Sequence, residues 1–294
     1  MRTRAYLKII SAMLIWGTLG IFTRHTGVSS SEMVLFRVVI GGVFLLVVYL
    51  FSRRHSSGSA IRRAAPLLLL SGIVMGFNWL FLFEAYRYTT VSLATVAYYC
   101  SPIIVMLLSP LLFRERVAPL RVMGIMCCLG GLVLIAGSIS ANSSTFKGFG
   151  FGLCAAALYA VVTLMNKYVK GLSGIEITLI QLLGAFIVML PYCLITQDGV
   201  IYLPQSVKGA VCLIILGVVH SGIALFLYFS SLQSLPAQSA ALCSYIDPGS
   251  ALVFSALILD EKLSFVQIIA AVLILGGALL GELFSPHSGK RRGR

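Results

Sequence analysis

The sequence predicts an all-α polytopic membrane protein, ten transmembrane helices in two inverted five-helix repeats, on three observations. Hydrophobic residues make up 59% of the chain and charged residues 11%, at a mean hydropathy of +1.00, which leaves too little polar surface to coat a soluble globule. Ten apolar runs have the roughly 20-residue length that crosses a bilayer core, and hydrocarbon forces such runs to pair their backbone internally, as helices. Landmarks also recur: Pro102, Glu115, Gly130 and Gly131 return 146 positions later as Pro248, Glu261, Gly276 and Gly277. Each copy holds five spans, an odd number, so the second inserts upside down relative to the first.

Span 1 (5–24) follows Arg2 and Arg4 but has no small-residue cleavage site in a polar context, so it is read as retained rather than as a signal peptide. Span 2 (33–51) is led by segment 32–37, which resembles 176–181 at offset 144. Span 3 (66–86) carries Gly72 and Gly76, span 4 (91–113) Pro102, and span 5 (117–137) Gly130 and Gly131. An outer connection at 138–148 separates the repeats, 1–137 and 149–284. Span 6 (149–169) answers span 1, with Tyr159 and Ala160 lying 143 positions after Trp16 and Gly17. Spans 7 (175–195), 8 (207–229), 9 (234–259) and 10 (264–284) complete the second repeat, and 285–294 is a basic tail. The drift in offset from 143 to 146 reflects small loop insertions. Glycines four apart, Gly72 and Gly76, Gly148 and Gly152, Gly277 and Gly281, let helices approach closely.

With the N-terminus in the cytoplasm, sixteen of the 22 basic residues fall on the cytoplasmic side, and Arg24, Arg37, Arg87, Lys147, Lys208 and Lys262 fall on the other. That bias places both termini inside. The net charge of +13 then reports topology and contact with anionic headgroups, since the short connections supply no folded basic surface for nucleic acid. Seven cysteines, all within spans and without CxxC spacing, read as packing residues. No metal or cofactor is expected.

Candidate site residues cluster around the two prolines. Each removes a helical N–H and displaces the carbonyl four residues earlier, at Tyr98 and Ser244. Broken helices at the midplane of related repeats are where a solute can meet free backbone groups, although a packing kink is the simpler alternative. Asp247 precedes Pro248, and its repeat mate is the neutral Ser101; the carboxylate suits an ammonium group or a proton, or else stays neutral by burial. Asn78 and His220 lie mid-span, where a polar group is costly, and serve as ligands or as interhelical hydrogen-bonding groups. Arg37 either pairs with Glu84 or receives a carboxylate. Trp16, Phe77, Trp79, Tyr98, Tyr99, Tyr159 and Tyr245 fall inside spans; the tyrosines beside the breaks offer a ring face and a hydroxyl. The substrate-binding set expected from these residues is Trp16, Arg37, Asn78, Trp79, Tyr98, Tyr99, His220, Ser244, Tyr245 and Asp247.

The stretch 102–135, with Leu112, Phe113, Arg114, Glu115, Arg116 and Val117 leading into Gly124 and the Gly130-Gly131 pair, resembles the end of an EamA domain of the drug/metabolite transporter superfamily. The stretch 248–280, with Leu259, Asp260, Glu261, Lys262 and Leu263, resembles another, and Trp16, Gly17 and Arg37 fit the early part of such a domain. The resemblance covers essentially the whole chain. It implies ten helices in two inverted repeats around a central cavity, with amino-acid exporters among the nearest functional types. Span 1 has no acidic residue, unlike the small multidrug resistance branch, where a carboxylate in that helix couples drug to protons.

No Walker loop, HExxH, paired-carboxylate cluster or GxSxG elbow is present, so neither an ATP-driven pump nor an enzyme is expected. The reading is a secondary transporter of the bacterial plasma membrane that moves a small organic metabolite outward, an amino acid or related compound, with solute and lipid bilayer as its partners. The alternative is a non-transporting membrane sensor or a membrane-embedded lipid-group transferase, which would need an effector region or a reactive polar cluster at one membrane face.

Overall fold

In the computed structural model, residues 2–23, 25–52, 56–89, 91–114, 118–136, 143–258 and 265–283 are described, and every regular element among them is helical. The helices are α1 (Arg2–Gly17), α2 (Leu19–Thr23), α3 (Ser30–Phe51), α4 (Gly58–Tyr88), α5 (Val91–Tyr98), α6 (Ser101–Phe113), α7 (Pro119–Ala136), α8 (Ser143–Tyr168), α9 (Gly174–Thr196), α10 (Val207–Ile215), α11 (Ala224–Leu232), α12 (Ala237–Cys243), α13 (Ile246–Ile258) and α14 (Phe265–Leu283). A π-helical turn, Leu216–Ile223, joins α10 to α11. Six stretches are long and apolar enough to cross a membrane: Thr3–Thr23, Ser30–Phe51, Gly58–Tyr88, Ser144–Tyr168, Gly174–Thr196 and Val207–Leu232. Ser101–Phe113, Pro119–Leu134 and Ile268–Gly281 are shorter apolar helices. The chain is thus an all-helical, multi-pass membrane protein. Large apolar side chains such as Leu50, Phe51, Leu111 and Val272 stay exposed on its outside, as lipid contact permits.

Several boundaries differ from expectation. Helix α4 starts at Gly58, with Pro66 inside it, and α8 starts at Ser143, within the expected connection. Glu115, Glu261 and the tail 285–294 lie outside the described residues.

Two helices break beside the repeated prolines. Helix α5 ends at Tyr98 and α6 begins at Ser101, while α12 ends at Cys243 and α13 begins at Ile246. Pro102 and Pro248 therefore sit in the first turn of the new helix, where a missing N–H costs no helical hydrogen bond. Proline alone does not dictate the break, because Pro66, Pro110 and Pro191 all lie within continuous helices.

The segments related at offset 144 fold alike. Ser29 and Glu32 form a capping box on α3, and Ser173 and Glu176 form one on α9, each satisfying orphan N–H groups at a helix start. Each glutamate also reaches into the other half of the chain. Glu32 Oε1 accepts the Tyr202 N–H at 2.7 Å, and Glu176 Oε1 accepts the Ser56 N–H at 2.8 Å. Both carboxylates are buried.

Helices α7 and α14 pack most closely where glycine removes the Cβ. A Cβ on Gly124 would stand 2.5 Å from the Gly277 carbonyl, and one on Gly131 would stand 2.7 Å from the Ala270 carbonyl. Between these points Cys128 Sγ donates to the Ile274 carbonyl at 3.2 Å. As the numbers rise on one helix they fall on the other, so the two run antiparallel. Gly131 and Gly277 are mates at offset 146, as are Gly124 and Ala270 and as are Cys128 and Ile274, so the contact is self-complementary in the manner of a two-fold axis crossing both helices.

Candidate functional site

A cavity of about 620 Å³ lies among α1, α2, α3, α4, α5, α8, α11, α13 and the two helix breaks. It extends to Thr26 and Val28 in the connection before α3. At the other end of the bundle α12 packs along α6, and a buried polar cluster ties that end together: Arg121 donates from Nη1 to Gln238 Oε1 at 3.2 Å and from Nη2 to Ser239 Oγ at 3.1 Å, while Gln238 Nε2 donates to Ser109 Oγ at 2.9 Å. Lys167 Nζ donates nearby to the carbonyls of Leu232 and Leu235. Among the described residues, α5 and α13, which stand 146 positions from α12 and α6 in the sequence, do not pack along each other in this way. Among the described residues, the breaks are therefore packed together on the α12–α6 side, while residues of α5 and α13 face the cavity.

Eight of the ten expected residues line this space: Trp16, Arg37, Asn78, Trp79, Tyr98, Tyr99, Ser244 and Asp247. Tyr245 and His220 are placed elsewhere. Tyr245 is buried behind the break, donating to the Tyr99 carbonyl at 2.9 Å. His220 is buried against α1 and α2, its Nε2 at 3.1 Å from Thr18 Oγ1 and its ring edge-on to Phe22. Phe77 is 45% exposed on the outside.

At the crossing of the breaks the Tyr99 hydroxyl donates to Asp247 Oδ2 at 2.6 Å. Asp247 and Arg37 are the carboxylate and the cation among the described lining residues. Arg37 makes no ion pair with Glu84, contrary to one expectation: Glu84 takes Arg87 at 2.9 Å and the Tyr192 hydroxyl at 3.1 Å, and Arg37 Nε donates instead to Ser221 Oγ at 3.1 Å. A neighbour one turn away, on the same helix, wins over a partner on another helix. Asn78 is held through Nδ2 on the Ala155 carbonyl at 2.6 Å.

Aromatic rings form the floor. Tyr98 lies 5.5 Å from Tyr159, Tyr159 stacks on Tyr228 at 6.2 Å, and Tyr228 lies 5.3 Å from Trp16. Tyr86, Thr95 and Tyr228 were not among the expected site residues. Their only sequence signal is a polar atom within an apolar run. The cavity thus offers one carboxyl group, one guanidinium and a broad apolar wall, which suits an amphipathic solute.

Residues 3–137 and 146–281 each match the EamA-like transporter family. The chain is 28% identical over 283 residues to the uncharacterized transporter YxxF of Bacillus subtilis (strain 168), covering 95% of this chain and 89% of that one. It is 26% identical to the uncharacterized transporter YetK of the same organism, over 93% of this chain and 85% of that one. A plant relative, the chloroplastic WAT1-related protein At3g02690 of Arabidopsis thaliana, is 23% identical over 91% of this chain and 66% of its own length. One solved crystal structure superposes with a TM-score of 0.85 at 23% identity, over 97% of this chain and 99% of that one, which is a likeness of fold.

Proposed function

The chain belongs to the EamA-like transporter family, and on that premise we propose that it is a secondary transporter exporting a small organic metabolite, an amino acid or related compound, by alternating access around the central cavity. The bundle is read as ten spans in two inverted repeats, 1–137 and 149–284, in a bacterial plasma membrane with both termini cytoplasmic. The family match to each half and the antiparallel, self-complementary contact of α7 with α14 support that reading.

The observation that carries the proposal is the unequal packing of the broken helices. Helix α12 is closed on α6 while the related pair, α5 and α13, is parted around the cavity. Exchanging these two arrangements would close one mouth and open the other without altering either repeat. With the N-terminus inside, the parted end is the outer one and the Arg121 cluster seals the inner one.

Two measurements test this. Reporter fusions after the last helix should read as cytoplasmic; a periplasmic readout would overturn the span count or its orientation. Purified protein in liposomes, screened against amino acids, amines, sugars and nucleosides, should move at least one amino acid. Single cysteines at Tyr98 or Ser244, in a background freed of native cysteines, should then react with water-soluble reagents and be protected by that solute. Failure of every solute to move, with the protein folded and inserted, would sink the transport reading.

A further inference from the structure

Arg37 lines the cavity from α3, and its guanidinium is held from behind by one hydrogen bond, Nε to Ser221 Oγ. Ser221 belongs to the π-helical turn, a geometry that adds a residue to the helical turn and shifts the side chains that follow it. Within that turn the His220 carbonyl accepts the Trp16 indole N–H at 2.9 Å, so the same few residues fix both Trp16 and Arg37. Gly217 makes this seat possible: a Cβ there would stand 2.5 Å from the Ile40 side chain on α3. Among the described residues, Nη1 and Nη2 of Arg37 meet no acceptor and no carboxylate lies within 4 Å. A cation inside a membrane without a counter-charge is costly. A guanidinium with both terminal nitrogens free presents the fork that binds a carboxylate through two parallel hydrogen bonds.

We propose that Arg37 is the receptor for the carboxylate of the bound solute, and that Ser221, carried by the π-helical turn, is the positioning residue that keeps the fork turned into the cavity. The ligand class is therefore an organic acid, and amino acids are the acids tested first because a carboxyl group, Asp247, lines the same cavity. This deepens the transporter reading and rests on it only for the word transport, since binding is measured separately.

The chain has two tryptophans, and Trp16 and Trp79 both line the cavity. Intrinsic fluorescence of the purified protein therefore reports occupancy without any transport. The protein is titrated with the standard amino acids, with the amide of each one that binds, and with sulfate. At least one amino acid should bind, and its amide should bind about 10-fold or more weakly, the loss of a charge-assisted pair. Arg37→Gln should abolish the preference for acid over amide, and Ser221→Ala should weaken the acid several-fold while leaving the amide unchanged. An Arg37→Gln protein with an unaltered melting temperature and an intact preference would overturn the proposal. So would binding of sulfate alone, which would make this a general anion site, or the absence of binding by any amino acid. Binding that follows Arg37 without movement across liposomes would leave the receptor standing and remove the transport reading; movement indifferent to Arg37 would do the reverse.

Discussion

Asp247→Asn is expected to leave the protein folded and to lower transport of an ammonium-bearing solute by about 10-fold or more, the value of a hydrogen bond to a charged partner. The substitution keeps the side-chain shape and an oxygen to accept from the Tyr99 hydroxyl, now 2.6 Å away, so the crossing of the two broken helices survives. What it removes is the negative charge beside the solute. The effect should therefore depend on the solute: a compound with a free amine loses most, and its N-acetylated form loses little. If the carboxylate instead carries a proton, every solute loses the pH dependence of its transport alike. Initial rates in liposomes between pH 5.5 and 8 separate the two outcomes. An Asp247→Asn protein that transports normally at every pH would assign the residue to structure alone.

The second large effect falls on the paired glycines. Gly131 and Gly277 should tolerate no larger side chain, whereas Gly130 and Gly276 should accept alanine freely. A Cβ on Gly277 would stand 2.6 Å from the Gly124 carbonyl and one on Gly131 2.7 Å from the Ala270 carbonyl, while Gly130 and Gly276 have nothing within 4 Å. Backbone on both sides cannot give way as a side chain can, so Gly131→Ala or Gly277→Ala should cost at least the 1–3 kcal/mol or so of an overpacked core, and leucine there should prevent stable folding. Gly130→Ala and Gly276→Ala remove the entropy penalty of glycine in a helix and should stabilise by roughly 0.5–1 kcal/mol. Melting temperatures in detergent check all four. Equal tolerance within each pair would contradict the antiparallel contact of α7 and α14.

These glycines show what the sequence could and could not convey. Pro102 and Pro248 pointed to both helix breaks because they recur in register, whereas proline's local effect on its own backbone would have marked Pro66, Pro110 and Pro191 equally, and those lie within continuous helices. Which glycine of a pair meets a partner was hidden, since both are equally small. The same limit explains His220 and Tyr245, which lie behind the cavity wall rather than in it. In spans that are apolar all round, hydrophobic periodicity no longer marks an inward face. The π-helical turn was missed for a related reason: one added residue rotates everything after it, and nothing in the run Leu216–Ile223 except its Gly217 and Gly222 hints at that. Glu84 went to Arg87, a neighbour on its own helix, which spacing alone would have favoured over Arg37.

The two capping glutamates have unequal histories during synthesis. Glu176 finds Ser56 already made, 120 residues upstream, whereas Glu32 must wait for Tyr202, 170 residues downstream. Until that residue leaves the ribosome, one oxygen of an acid destined for burial has no protein partner. The start of α3 is capped locally by Ser29 and Glu32 Oε2, so what the second half of the chain supplies is the partner of the remaining oxygen, which lets an already capped helix end be buried.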